Sequence, residues 1–390
     1  MSFTNFLYTG LLALGIFSFD AWYHGGEINL EINIPKGYGA SESSITDAIA
    51  ENLFLNEIAD IDAISTFVVK PRVRSTNEPT VVSMIGEMFG LKRMTLLIQR
   101  ATGMEPLVIN GSVTKRADRY QLLLVSNPEA GLDQRLNQTI ETAPGEPLPQ
   151  MIQRAAPQAM MEYQDYLVCL YLTSKAIDGK LRIYEPMFER PGTEGLDLLI
   201  QKRMQIIPGE LDEMKSGDDG TLRRAMFTNL RGMLALAQGN DKLALGFFQD
   251  AYRLDRHFAI AALNAAFIEI HQDQYQEALD TVRELIDSGM LANDPTLLDA
   301  AYTTWGVAAW GLNRFDEATT QFRNAILANA HTTLGYLYWG NMLNEYHRPD
   351  ESAAKHRLAA GNSRYFSPYT ETAILFFRLT PHDSNPLAHL

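Results

Sequence analysis

A chain that holds a metal through histidine, or attacks a substrate through cysteine, needs those side chains at short, fixed spacings. Here eight histidines and one cysteine are scattered along 390 residues. His347 and His356 stand nine apart, so on one continuous helix they would face away from each other. No His-Glu-x-x-His, paired-cysteine or EF-hand spacing occurs, and a lone surface histidine is more often solvated than a ligand. Cys169 lies in an apolar stretch of helical pattern, where a buried, inert thiol is the usual state. Lys36-Gly-Tyr-Gly-Ala-Ser41 is glycine-rich and precedes a helix, as a phosphate cradle would. It lacks both the P-loop frame and the paired Gly-x-Gly-x-x-Gly, and a strand-to-helix turn needs glycine in any case. Gly-x-Ser-x-Gly is absent as well. The sequence therefore predicts no catalytic residue, no cofactor and no metal site. Its chemistry is expected to be binding.

Composition narrows what is bound. Hydrophobic residues make up 46% and charged residues 21%, as in folded globular proteins, and the length suits two or three domains. Against 33 Lys and Arg stand 47 Asp and Glu, a net charge of -14. Affinity for phosphates comes from basic residues, so nucleic acid is not expected as a partner. One cysteine excludes an intramolecular disulfide.

Met1 to Phe19 carries no charged side chain, and Phe6 to Phe19 is almost wholly apolar. As a helix, the uncharged stretch from Met1 to Phe19 spans roughly 28 Å, close to a bilayer's hydrocarbon core. Asp20 ends it, and Trp22 and Tyr23 follow where interfacial aromatics belong. No basic residue precedes the run and no small-x-small site follows it, so a cleaved signal peptide fits poorly. Residues 1–24 are expected to be a single-pass transmembrane anchor; the alternative is a buried or docked first helix. The first basic residue is Lys36, after Asp20, Glu27 and Glu31, which leans the body of the chain away from the cytoplasm.

Residues 26–145 read as a small α/β module. Ile28 to Ile34 alternates apolar and polar residues, the period of a half-buried strand. Ser44 to Asp47 can cap a helix whose apolar residues are Ile45, Ile49, Leu53 and Leu55. Ala63 to Val73 reads as a strand and Val81 to Ala101 as a helix. Leu107 to Val113 and Tyr120 to Val125 form a hairpin across Lys115 to Asp118, and Leu136 to Thr142 adds a strand.

Ile45 to Leu53, Leu107-Val-Ile-Asn-Gly-Ser-Val-Thr-Lys115 and Asp118-Arg-Tyr-Gln-Leu-Leu-Leu124 together resemble a bacterial module. It is the α/β domain that precedes tetratricopeptide repeats in adenylate-cyclase-like and CadC-like regulatory proteins, itself similar to the amino-terminal domains of TolB and FlgO. The Gly111-Ser112-Val113 core and the Asp118-Arg119 turn match, and the helical stretch around Leu91 to Arg100 departs from the pattern. Neither a cyclase motif nor a DNA-binding helix-turn-helix is present, so the relatives' activities do not carry over. The resemblance implies a bacterial protein, so the anchor is expected in the inner membrane; the charge pattern after the apolar run leans the body to the periplasmic side.

Residues 147–220 form a helical bridge. Leu148 to Ser174 is helical in pattern with an interruption at Pro157, and Tyr163, Tyr166, Leu167, Leu170 and Tyr171 form a stripe best read as core packing. Glu194 to Ile206 gives another helix, and residues 209–220 an acidic connection.

From Ala225 the chain is periodic. Gly232, Gly239, Ala244, Phe248 and Ala251 stand at spacings 7, 5, 4 and 3. Adding 34 gives Ala266, Asp273, Ala278, Val282 and Leu285. A third copy reads Gly306, Asn313, Ala318, Phe322 and Ala325, and a fourth Gly340, His347, Ser352, His356 and Ala359. This resembles the tetratricopeptide repeat, in which small residues let paired helices approach and an aromatic fills the gap. Four repeats are expected over residues 221–366, with a capping helix at Tyr369 to Leu379 in a tail of residues 367–390.

The fold class expected is therefore α+β: a single amino-terminal helix, a small α/β domain and an all-α superhelix of tetratricopeptide repeats. In that family the first helices line a groove. The matching positions are Asn229, Met233, Leu263, Phe267, His271, Thr303, Trp310, Leu337, Asn341, Asn344 and Glu345. Leu263 and Phe267 equally suit packing inside the superhelix. Chaperone-binding relatives need Lys and Arg there to clamp a terminal carboxylate, and this chain has none at those positions. A neutral, partly aromatic groove fits an apolar or amidic peptide.

The function expected is a non-catalytic, membrane-anchored scaffold that recruits a protein partner. The rivals are an accessory subunit of a membrane complex, which the small residues Gly10, Ala13 and Gly15 would favour, and a small-molecule sensor using the α/β module.

Overall fold

The computed structural model describes residues 28–34, 45–64, 107–116, 119–126, 136–205, 220–365 and 372. The expected anchor (1–24), the helix at 81–101 and most of the acidic connection at 209–220 lie outside the described residues, as does the capping helix apart from Thr372. Of the strand expected over Ala63–Val73 only Ala63 and Ile64 are described, and Ala63 caps the preceding helix instead. The described residues fall into two compact units. One holds those up to Tyr171 together with Ile183–Met187, and the other holds Leu172–Arg182 and those from Phe188 onward.

In the first unit, β1 (Ile28–Asn33), β2 (Leu107–Arg116), β3 (Arg119–Ser126) and β4 (Asn137–Glu141) lie side by side in chain order. β1 and β2 are parallel, with Leu30 opposite Ile109. The other two pairings are antiparallel, with Val113 opposite Leu122 and Leu122 opposite Ile140. Alternation decides the faces: Ile32, Ile109, Val113, Leu122, Leu124 and Ile140 are buried, and Glu31, Asn33, Asn110, Ser112 and Thr114 stand on the opposite side. Gly111 belongs to the buried row, where a Cβ would lie 3.0 Å from Ile32 and 3.3 Å from Leu124. Lys115 and Arg116, expected in the hairpin turn, extend β2 and pair with Tyr120 and Arg119.

Helix α1 (Asp47–Asp62) is capped by Thr46, whose hydroxyl accepts from the Ile49 N–H at 3.4 Å. Its acidic side chains also serve β1: Glu51 accepts from the Ile32 N–H at 3.1 Å and Asp47 from the Ile34 N–H at 2.8 Å. Two N–H groups along β1 are thereby satisfied by side chains. The buried stripe is Ala50, Phe54, Glu57, Ile58 and Ile61 rather than the expected Ile45, Ile49, Leu53 and Leu55; Ile49 is 43% exposed. The difference arises because a carboxylate sits on the buried face. Glu57 Oε1 accepts from both Tyr171 and Tyr184, whose rings meet edge-on at 5.9 Å. Burial, and then the bond to Glu57, pushes both phenols above their ordinary value of 10.0, which keeps them as donors.

Helix α2 (Leu148–Met160) contains Pro157 without interruption, contrary to expectation. The helix ends only at Met161, whose N–H still bonds the Pro157 carbonyl at 3.0 Å. Pro157 cannot donate to the Gln153 carbonyl, and the helix nevertheless runs on for three more residues. Arg154 on α2 is buried against Glu146, with Nε–Oε1 at 2.6 Å and Nη2–Oε2 at 2.8 Å. Helix α3 (Asp165–Ile177) and a 3-10 turn at Leu181–Met187 follow. Of the tyrosine stripe, Tyr166, Leu167, Leu170 and Tyr171 are buried as expected, and Tyr163 is half-buried.

The second unit continues with α4 (Gly192–Gln205), then four helix pairs. These are α5 (Thr221–Ala237) with α6 (Asp241–Leu254), α7 (Ala259–His271) with α8 (Tyr275–Asp287), α9 (Pro295–Gly311) with α10 (Phe315–Ala328), and α11 (Thr333–Glu345) with α12 (Pro349–Asn362). The unit is a helical repeat array whose period is the one written in the sequence.

Candidate partner-binding face of the repeats

Each pair is joined by a three-residue turn with a left-handed middle residue: Gly239 (φ 73°), Asp273 (59°), Asn313 (59°) and His347 (57°). The residue after it bonds back across the turn, as in Asn240 N–H to Ala235 O at 2.9 Å and Arg348 N–H to Leu343 O at 2.9 Å. This is a Schellman closure, repeated four times, and it sets the same reversal in every pair.

The pairs close on the small-residue column. A Cβ on Gly306 would stand 2.6 Å from the Phe322 ring, and Gly232 and Gly340 meet Phe248 and His356 in the same way. In the second pair the volumes shift together: Ala266 replaces glycine and Val282 replaces phenylalanine, and both are fully buried. Gly311 extends the logic between repeats, because a Cβ there would run into the Tyr275 ring.

Of the expected groove residues, Asn229, Met233, Leu263, Phe267, Thr303, Trp310 and Leu337 are at most 5% exposed. Asn264 Nδ2 donates to Asn229 Oδ1 at 2.8 Å, joining the first helices of the first two repeats. Asn341 is half-buried, and its Oδ1 accepts from His356 Nε2 at 2.9 Å. His271 retains surface at the end of α7, 3.1 Å from Asp241. Asn344 and Glu345 are exposed at the end of α11. The array thus offers a polar, accessible rim at the helix ends and a closed apolar strip between them.

Two polar devices stand beside these positions and were not singled out from sequence. Asp299 is buried one turn before Thr303, which donates to its Oδ1 at 3.2 Å; Thr332 donates to the same oxygen at 2.5 Å and Asn329 to Oδ2 at 3.1 Å. Burial outweighs these three donors and pushes the carboxyl up to about 7. The i, i+4 spacing of Asp299 and Thr303 is visible in the sequence, but its partners belong to the next repeat. Second, Arg283 stacks on Trp305 at 5.0 Å and Arg323 on Trp339 at 5.7 Å, one repeat apart. Trp305 Nε1 donates to Glu317 at 2.8 Å. Lys355 lies 3.5 Å above Trp339, where burial, then the Arg323 charge, lowers its pKa.

Among the described residues, no group of three or more His, Cys, Asp or Glu side chains could hold a metal ion, and no helix is long and apolar enough to cross a membrane. Cys169 is buried.

No family model and no curated protein matches the sequence. Among solved structures the chain is similar to MamA. One crystal structure of MamA shares 16% identity, covering 49% of this chain and 94% of that one, with a TM-score of 0.32. MamA 41-end from Desulfovibrio magneticus RS-1 shares 14%, covering 51% and 98%, with a TM-score of 0.33. Likeness this distant says nothing about activity, so function has to be read from the chain's own residues.

Proposed function

We propose that this chain is a non-catalytic scaffold that binds a protein partner through the first helices of its four repeats, and that residues 1–24 hold it to a membrane. The observation that carries the reading is the rim. His271, Asn344 and Glu345 keep accessible surface where seven other groove positions are closed. A rigid array presents such a face without ordering costs, which is how repeat proteins bind extended segments.

Co-purification after mild detergent extraction tests this. A chain with Asn344→Arg and Glu345→Arg is expected to lose a partner that the parent retains, while Leu327→Arg, at an 83% exposed position on α10, keeps it. Equal recovery with all three proteins overturns the reading. For the membrane part, washing at high salt should leave the parent in the membrane pellet and release a chain lacking residues 1–24. Release of both refutes the anchor.

A further inference from the structure

The residue just before the small-residue column of each first helix is Arg231, Ala265, Trp305 and Trp339 in the four repeats. In the third and fourth, the indole meets side chains of two second helices. Trp305 contacts Arg283 of α8 and Glu317 of α10, and Trp339 contacts Arg323 of α10 and Lys355 of α12. In the first, Arg231 fills the place itself, 4.3 Å from the Phe247 ring and paired with Asp197 at 2.7 Å. The second repeat lacks both members of the stack. Gln249 stands where Arg283 and Arg323 do, and Ala265 stands where the tryptophans do. A cavity of about 240 Å³ opens there, lined by residues of α6, α7 and α8.

A charge has come in where the bulk is missing. One turn beyond Ala265, at the position of Ala309 and Leu343 in the next two repeats, this repeat carries Glu269. Glu269 lines the cavity and is 6% exposed. Its Oε1 accepts from Gln249 Nε2 and its Oε2 from Thr281 Oγ1, both at 3.4 Å, which is long for a hydrogen bond. Burial raises its pKa more than these two donors lower it, and no cation among the described residues pairs with it. The arginines around the cavity are already matched: Arg253 bonds Asp250, and Arg256 lies 3.3 Å from Glu284 and stacks on Tyr252 at 4.6 Å. Each oxygen of Glu269 therefore keeps acceptor capacity for a donor from outside. A buried carboxylate without a cation is costly, and a planar guanidinium reaches both of its oxygens at once. The neighbouring repeats fill the same place with a side chain, which favours a side chain as the occupant here.

We propose that the second repeat holds a socket for an arginine side chain of a protein partner, in which Glu269 receives the guanidinium and Ala265 leaves the room. The socket does not rest on the first-helix groove. Ala262, Ala265 and Glu269 stand on the side of α7 opposite Leu263, Phe267 and His271, so the array carries a second binding face behind the first.

Isothermal titration calorimetry on the purified full-length chain tests the socket. The probes are N-acetyl-arginine methylamide, which presents the side chain as a protein does, its citrulline analogue, which keeps the shape without the charge, and free arginine. The blocked arginine is expected to bind at least ten-fold tighter than the citrulline compound. Equal affinities, or no binding of the blocked arginine, overturn the proposal. Free arginine binding ten-fold tighter than the blocked form would mark a metabolite site and overturn the protein partner. Glu269→Gln is expected to weaken the blocked arginine at least ten-fold. Ala265→Trp, which supplies the side chain that Trp305 and Trp339 supply in their repeats, is expected to abolish its binding. Unchanged affinity in either variant overturns the proposal. The comparison of arginine with citrulline uses the parent chain alone, so it decides the matter even if a variant fails to fold.

Discussion

Thr332 joins two repeats through one oxygen: its hydroxyl donates to Asp299 Oδ1 at 2.5 Å and accepts from the Gly335 N–H at 3.0 Å. The first contact reaches back into α9, and the second caps α11. A helix start in the fourth repeat is therefore tied to a buried carboxyl in the third.

That carboxyl makes stability depend on pH. Asp299 is raised from 3.8 to about 7, so protonation favours the folded state. Its contribution is full below about pH 4 and lost as pH rises through about 7, a change of about 4 kcal/mol. Relative to the parent, Asp299→Asn should gain stability between pH 4 and 8 in denaturant titrations. A constant difference across that range would contradict the burial argument.

The small-to-large pairing inside repeats is reciprocal. Gly306→Ala places a methyl against Phe322 and should cost about 1–3 kcal/mol. Adding Phe322→Val, the combination that Ala266 and Val282 already use, should make the double variant less unstable than the two single losses summed. Additive losses in a double-mutant cycle would mean that the two positions do not share one space.

At the four turns, the left-handed residue is Gly once and a residue with a Cβ three times. Gly239→Ala should destabilise by about 1 kcal/mol. His347→Gly should stabilise by up to about 1 kcal/mol. Asp273→Gly should gain less, because Asp273 also accepts from the Tyr275 hydroxyl at 2.6 Å. Equal melting shifts at His347 and Asp273 would show that this side-chain bond contributes nothing.

These four turns were legible in the sequence because a period is arithmetic: Gly239 and Asp273, and Asn313 and His347, each stand 34 apart, with six extra residues between the two pairs. The sheet was legible for a similar reason, its two faces alternating residue by residue. The buried face of α1 was not, because Glu57 lies on it and is tolerated only through Tyr171 and Tyr184, more than 100 residues away. The effect of Pro157 was hidden because its position in the helix, not its presence, decides whether the helix breaks. Among the groove positions, periodicity marks the first helices but cannot separate the closed strip from the rim. Burial at Met233 or Phe267 depends on what lies over them, and no local pattern encodes that. Asn264 and Asp299 escaped notice because each is explained by a partner in a neighbouring repeat.

Site-specific photocrosslinking in the producing cell tests the central claim most directly. A probe at Asn344, on the rim, should yield one discrete adduct with the protein that co-purifies with the chain, and a probe at Leu327 should yield none. No adduct at Asn344, or the same adducts at both positions, would contradict a partner-binding role for the first-helix face.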